Sequence, residues 1–125
     1  MLIKKFLAGP IGTNCYLIMN ENTKEAVIVD PASLPVGLMN VVMQEGLTVK
    51  AVLLTHGHFD HIMAVKELRE QFQIPVYAYE VYPLDIKSFI YPSTFFVLFN
   101  KVELVSFSKG VIKLEYLNKT SSIGY

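Results

Sequence analysis

The feature that most constrains the fold is the run Ala51-Val52-Leu53-Leu54, which passes without a break into Thr55-His56-Gly57-His58-Phe59-Asp60-His61. A continuous apolar run of this length, bounded by Lys50 and Thr55, predicts a strand covered on both faces, the usual state of a parallel strand inside an α/β sheet. The polar residues that follow then sit at the strand's C-terminal end, where α/β folds gather their functional groups.

The flanking segments predict what covers that strand. Thr13 to Asn20 and Ala26 to Asp30 are short runs rich in β-branched and aromatic residues, separated by the polar stretch Glu21-Asn22-Thr23-Lys24-Glu25. They predict a hairpin with a five-residue loop. Ser33 is the expected cap of a helix starting at Leu34, with Pro35 in its first turn and Gly46 as its left-handed stop. Val36, Met39, Val42 and Met43 would form its apolar stripe. A second helix is predicted from Ile62, Val65, Leu68 and Phe72, ending before Pro75, and Ile74 to Tyr79 reads as a further strand. The expected order is strand, strand, helix, strand, helix, strand, with helices covering a sheet.

Beyond Glu80 the pattern changes. Pro83 and Pro92 interrupt any helix, and five of the eight Phe fall between 89 and 107. Phe95 to Phe99, Lys101 to Phe107 and Val111 to Leu117 read as candidate strands in an otherwise irregular tail. The chain is thus expected to divide into residues 1–80, a half-domain carrying the polar loop, and residues 81–125, an atypical tail that either joins the same domain or is partly disordered.

All three histidines of the chain lie at positions 56, 58 and 61. His56 and His58 are two apart, so an extended segment leaving a strand places both imidazoles on one side, and Asp60 continues that alternation. His61 opens the following helix, whose first turn brings it back toward the same point. Gly57 lets the backbone turn tightly between two ligands. Neutral imidazole with carboxylate is the donor set of zinc, and equally of iron or manganese. Asp30, at a strand end before Pro31, reads either as a turn or cap residue or as a group that orients the ligand loop. Thr55 likewise either bonds its local backbone or supports a ligand histidine. Cys15, the only cysteine, lies in a strand pattern and reads as a small buried hydrophobe, not a nucleophile.

Composition narrows the function classes. Eleven Lys plus Arg balance eleven Asp plus Glu, so no basic patch marks a nucleic-acid or anionic-membrane partner. A single cysteine excludes a disulfide scaffold and favours a reducing compartment. Although 52% of residues are hydrophobic, no run approaches the roughly 18 to 20 that a membrane helix needs, and Phe6-Leu7-Ala8 before Gly9-Pro10 is no signal-peptide core. The expectation is a soluble cytoplasmic protein acting on a small-molecule substrate.

The heptapeptide from Thr55 to His61 matches the T-H-x-H-x-D-H signature of the metallo-β-lactamase superfamily, and its surroundings resemble the glyoxalase II-like (hydroxyacylglutathione hydrolase-like) branch. Thr13-Asn14-Cys15-Tyr16-Leu17 resembles the early strand of that branch, and Val27-Ile28-Val29-Asp30-Pro31 the strand ending in the family's first aspartate. The resemblance covers about residues 1 to 80. It implies an α/β fold, the N-terminal half of an αββα sandwich. It also implies a metal-dependent hydrolase in which His56 and His58 bind a first metal, and Asp60 and His61 a second. Asp60 would also orient the attacking, metal-bound hydroxide for thioester or ester hydrolysis.

The same resemblance implies three further ligands downstream: a histidine, a bridging aspartate and a second histidine. No histidine follows His61, and nothing around Asp85, Glu103 or Glu115 matches a ligand motif. A catalytic zinc normally takes three protein ligands plus water. The cofactor expectation is therefore zinc, with iron or manganese as alternatives, at one ion or none where the family holds up to two. A truncated or degenerate, inactive copy serving as an interaction module is the competing expectation. A homodimer through the unfinished sandwich face is a third.

Overall fold

The computed structural model describes residues 1–55, 63–78, 90–91, 95–99, 103–108, 111–116 and 119–124, with side-chain exposure described for 1–55, 63–77 and 112–114. The elements are β1 (Leu2–Ala8), β2 (Thr13–Met19), β3 (Glu25–Val29), α1 (Val36–Gln44), β4 (Thr48–Leu54), α2 (Val65–Phe72), β5 (Val76–Ala78), β6 (Ile90–Tyr91), β7 (Phe95–Phe99), β8 (Glu103–Ser108), β9 (Val111–Tyr116) and β10 (Lys119–Gly124). Strands β1 to β6 form one six-stranded sheet in sequence order, and β7 to β10 a four-stranded sheet.

The first sheet is mixed. β1, β2 and β3 are antiparallel neighbours, with Tyr16 opposite Val29 and Met19 opposite Ala26. β3, β4 and β5 then run parallel, so that their C-terminal ends share one edge of the sheet. Crossovers through α1 and α2 make that possible. Ala51, Val52, Leu53 and Leu54 are all nearly or wholly inaccessible to solvent, as the unbroken apolar run predicts. Burying each of the larger side chains is worth about 1.5–3 kcal/mol.

The two helices end as their sequences dictate, but α1 begins differently. Gly46 adopts φ 63°, its N–H donates to the Met43 carbonyl at 3.3 Å, and the Leu47 N–H donates to the Val42 carbonyl at 2.9 Å. That reciprocal pair closes a helix C-terminus through a left-handed residue. At the other end the helix starts at Val36, with Pro35 as the unbonded cap. Ser33 does not cap it; its Oγ accepts from the Gly9 N–H at 3.1 Å. The expected apolar stripe also shifts. Leu38 and Val42, four apart, are buried, with Met39 and Val41 packed partly against the core, whereas Val36 and Met43 are 75% and 76% exposed. At about 3.6 residues per turn Val36 and Met43 fall on the side of the helix turned away from Leu38 and Val42. In α2 the expected stripe holds for Val65, Leu68 and Phe72; Ile62 lies outside the described residues.

Three strands escape the sequence reading: β1, the two-residue β6, and β10. β1 pairs along its whole length with β2, from Leu2 opposite Met19 to Ala8 opposite Thr13. β10 pairs with β9 from Lys119 opposite Tyr116 to Gly124 opposite Val111. The three candidate strands of the tail are present as β7, β8 and β9, and with β10 they form a meander of hairpins. Its β9 alternates as predicted: Ile112 and Leu114 are wholly buried and Lys113 is exposed. Ile112 and Leu114 belong to the same buried cluster as Leu17, Ile28, Leu53 and Leu68. The second sheet therefore contributes to the core of the first, the layering that a sandwich requires. Among the described residues no helix is long and apolar enough to cross a membrane.

Candidate metal centre

The site is built where β3 and β4 end side by side. Val29 and Leu53 are register partners in the parallel ladder, and the Asp30 N–H extends the pairing by donating to the Leu53 carbonyl at 2.9 Å. Asp30 then turns out of the sheet at φ 52°, a left-handed conformation uncommon for a residue with a side chain but tolerated by aspartate. The turn aims its carboxylate at the end of β4. Oδ1 accepts from the Thr55 N–H at 2.8 Å, and Oδ2 accepts from the Thr55 hydroxyl at 2.5 Å. Both residues are 2% exposed.

Hydrogen bonds to a charged acceptor are worth about 1.5–3 kcal/mol each, against a left-handed cost of order 1 kcal/mol for Asp30. The two bonds decide the balance and hold the turn. The Asp30 carboxylate is also felt by Cys15, which is itself wholly buried. Burial, reinforced by the negative charge of Asp30, pushes the Cys15 thiol up to about 12. The thiol stays protonated at neutral pH, which fits the packing role expected of it and excludes an activated nucleophile.

A second bond closes the frame. The Pro31 carbonyl accepts from the Ala64 N–H at 2.9 Å, immediately before α2. Thr55, bonded to Asp30, and Ala64, bonded to Pro31, thus flank positions 56–63 in the chain. Two consecutive residues hold both ends of the segment that carries every histidine of the chain. Asp30 is thus both a turn residue, at φ 52°, and the hydrogen-bond partner of Thr55, the residue that precedes His56 in the sequence.

His56, His58, Asp60 and His61 themselves lie outside the described residues, as do Gly57 and Phe59. Asp85 lies outside them too, and the side chains of Glu103 and Glu115 are not described. The fit of a metal rests on the donor set. Three imidazoles and a carboxylate within positions 56–61 match the ligand chemistry of zinc, iron or manganese. Each carboxylate oxygen of Asp30 accepts a hydrogen bond from Thr55. Pro31 and Ala64 had no signal in the sequence, because a backbone-to-backbone bond leaves no mark on side-chain identity.

A family model for the metallo-β-lactamase superfamily matches residues 8–101. The chain belongs to the metallo-β-lactamase superfamily. Over 77 residues this family member is 38% identical to the "Probable metallo-hydrolase YqgX" of Bacillus subtilis (strain 168), a match covering 62% of this chain and 36% of that protein. Over 53 residues it is 43% identical to a "Hydroxyacylglutathione hydrolase-like protein" of Gallus gallus, covering 42% of this chain and 18% of the relative. The chain thus spans a little over a third of the length of the first of these relatives.

Among solved structures, the BLEG-1 B3 metallo-β-lactamase superposes with a TM-score of 0.61 at 31% identity, covering 92% of this chain and 67% of that one. TTHA1623 in a di-iron-bound form gives 0.53 at 37% identity over 66% of this chain and 39% of its own. The class B3 di-zinc enzyme LRA-12 from an Alaskan soil metagenome gives 0.60 at 18% identity, covering 95% and 60%, a likeness of fold alone. Solved members of this superfamily therefore hold pairs of zinc or of iron ions.

Proposed function

We propose that this superfamily member is a metal-dependent hydrolase that opens thioester or ester bonds. The observation that carries this reading is the loop of three histidines and one aspartate held between Asp30–Thr55 and Pro31–Ala64. Rigid anchorage of a ligand segment is what keeps donors within productive geometry. The relative named as a probable metallo-hydrolase supports the reaction class, and the hydroxyacylglutathione hydrolase-like relative supports a thioester substrate.

In this reading His56 and His58 hold one ion, with Asp60 or His61 completing three protein ligands. Zinc is the first candidate, and iron and manganese suit the same donors. Such an ion supplies a water acidified to a pKa of about 7 and an electrophile for the carbonyl oxygen. Asp60 accepts a hydrogen bond from the attacking water and fixes its direction. Asp30 acts through Thr55, the residue before His56, which it holds by two hydrogen bonds.

A second reading is favoured by the donor count. Two ions with three protein ligands each need about six donors, and positions 56–61 supply four, with no histidine elsewhere in the chain. On that ground the chain is a catalytically inactive domain with at most one weakly held metal, serving as an interaction module. One experiment separates the two readings. Metal content by mass spectrometry and thiol release from a thioester are measured for the wild type and for His58→Ala. Turnover that is abolished by a chelator, restored by zinc and lost in His58→Ala supports the hydrolase. Bound metal without turnover supports the inactive domain, and equal metal content in both proteins overturns the ligand assignment.

A further inference from the structure

The turn between β1 and β2 packs against the segment that frames the ligand loop, and the contact runs through one glycine. Gly9 sits at φ 77°, and a Cβ placed on it would lie 2.9 Å from the Ala32 Cβ, closer than carbon atoms tolerate. Its N–H donates to the Ser33 Oγ at 3.1 Å. Ala32 is wholly buried, so it has no open space to retreat into. The Ala32 N–H in turn donates to the Asp30 carbonyl at 2.9 Å. Asp30 and Pro31 then hold Thr55 and Ala64, the two ends of residues 56–62.

We propose that Gly9 is a positioning residue for the metal loop: its missing side chain lets the β1–β2 turn seat Ala32 and Ser33, and so sets Asp30 and Pro31 in register with Thr55 and Ala64. This rests on the reading of positions 56–61 as metal ligands. The turn itself supplies the control. Gly12 closes the turn at φ 67°, also left-handed, but a Cβ there meets nothing within 4 Å. Alanine at either position meets the same backbone penalty; only at Gly9 does it collide with the frame.

The test compares Gly9→Ala, Gly12→Ala, Ala32→Gly and the double variant Gly9→Ala/Ala32→Gly, below their melting temperatures. Zinc dissociation constants are measured by chelator competition. The amide resonances of Thr55 and Ala64 are read in metal-free protein. Supports of metal ligands typically change affinity about 10–100-fold when disturbed. Gly9→Ala is expected to weaken zinc binding by about tenfold or more, and Gly12→Ala by less than about twofold. The double variant is expected to return to within about threefold of Ala32→Gly alone, the non-additivity that direct contact produces. The Thr55 and Ala64 amides shift in Gly9→Ala and return in the double variant.

Equal effects of Gly9→Ala and Gly12→Ala, or no rescue by Ala32→Gly, overturn the proposal by reducing Gly9 to backbone strain. If the wild type binds no zinc, the hydrolase reading fails. The amides still decide the mechanical part, because unshifted Thr55 and Ala64 resonances in Gly9→Ala overturn it independently. Should Gly9→Ala not fold, Ser33→Ala removes only the Oγ that the Gly9 N–H reaches. It is expected to weaken zinc binding by about three- to tenfold, and an unchanged constant counts against the proposal.

Discussion

The carboxylate of Asp30 takes both hydrogen bonds that Thr55 has to offer, one from its backbone N–H at 2.8 Å and one from its hydroxyl at 2.5 Å. One buried side chain thereby joins the ends of two parallel strands, next to the residue that precedes His56 in the sequence. Asp30→Asn keeps the shape but removes the charge and one acceptor. It should lower stability by about 1–3 kcal/mol and weaken metal binding by about 10–100-fold. Thr55→Ser, which retains both donors, should change stability by less than about 1 kcal/mol. Chemical denaturation and chelator competition measure the two effects, and an Asp30→Asn protein with unchanged metal affinity would contradict the bracing role.

The raised pKa of Cys15 makes a prediction for alkaline pH. Its ordinary value of 9.0 rises to about 12 in the fold, so between these limits the native state binds a proton that the unfolded chain has lost. Stability from this group is fully present below pH 9 and falls as pH climbs toward 12, by at most about 1.4 kcal/mol per unit. Cys15→Ala should lack that part of the decline, seen as the difference between the two proteins' denaturation curves at several pH values. The folded thiol should also resist a disulfide-exchange reagent at pH 8 until the chain unfolds.

The face of α1 that meets the sheet distinguishes buried from exposed positions. Leu38→Ala should cost about 2–5 kcal/mol, whereas Met43→Ala, at a site 76% exposed, should stay within about 0.5 kcal/mol. Denaturant midpoints report both. A costly Met43→Ala would restore the stripe through Val36, Met39, Val42 and Met43 that the spacing alone suggests.

Metal should act as a folding ligand. An ion that binds the native chain alone, supplied at about 100 times its dissociation constant, stabilises by about 2.7 kcal/mol. A zinc-dependent rise in melting temperature is expected for the wild type. It should vanish with excess chelator and be absent in His58→Ala. An equal rise in that variant would place the binding site away from positions 56–61.

What could be read in advance follows from how local each cause is. Ala51 to Leu54 announces a covered strand because burial on both faces demands apolar residues without alternation. Gly46 announces a helix stop because few other residues adopt its backbone angle without cost. β1 escaped notice because Lys4 and Lys5 interrupt its apolar pattern; at the edge of a sheet such lysines are compatible with pairing and guard the open side. β10 escaped because Lys119-Thr120-Ser121-Ser122 carries no apolar alternation, and it becomes a strand by pairing with β9. Ser33 looked like a cap because serine beside a helix usually is one, yet the neighbouring turn brings the Gly9 N–H to its hydroxyl.

The sequence by itself determined the candidate donor set, histidine and aspartate at 56, 58, 60 and 61, which follows a strand whose burial its own residues announce. Only the tertiary structure decided what holds that set in place. The partners of Thr55 and Ala64 are Asp30 and Pro31, distant along the chain and adjacent only because β3 and β4 lie parallel through the crossover of α1. Three of the bonds in the frame use a backbone N–H, which every residue but proline possesses. Side-chain identity therefore revealed the chemistry of the loop, while the geometry of its support is set by how the strands pack.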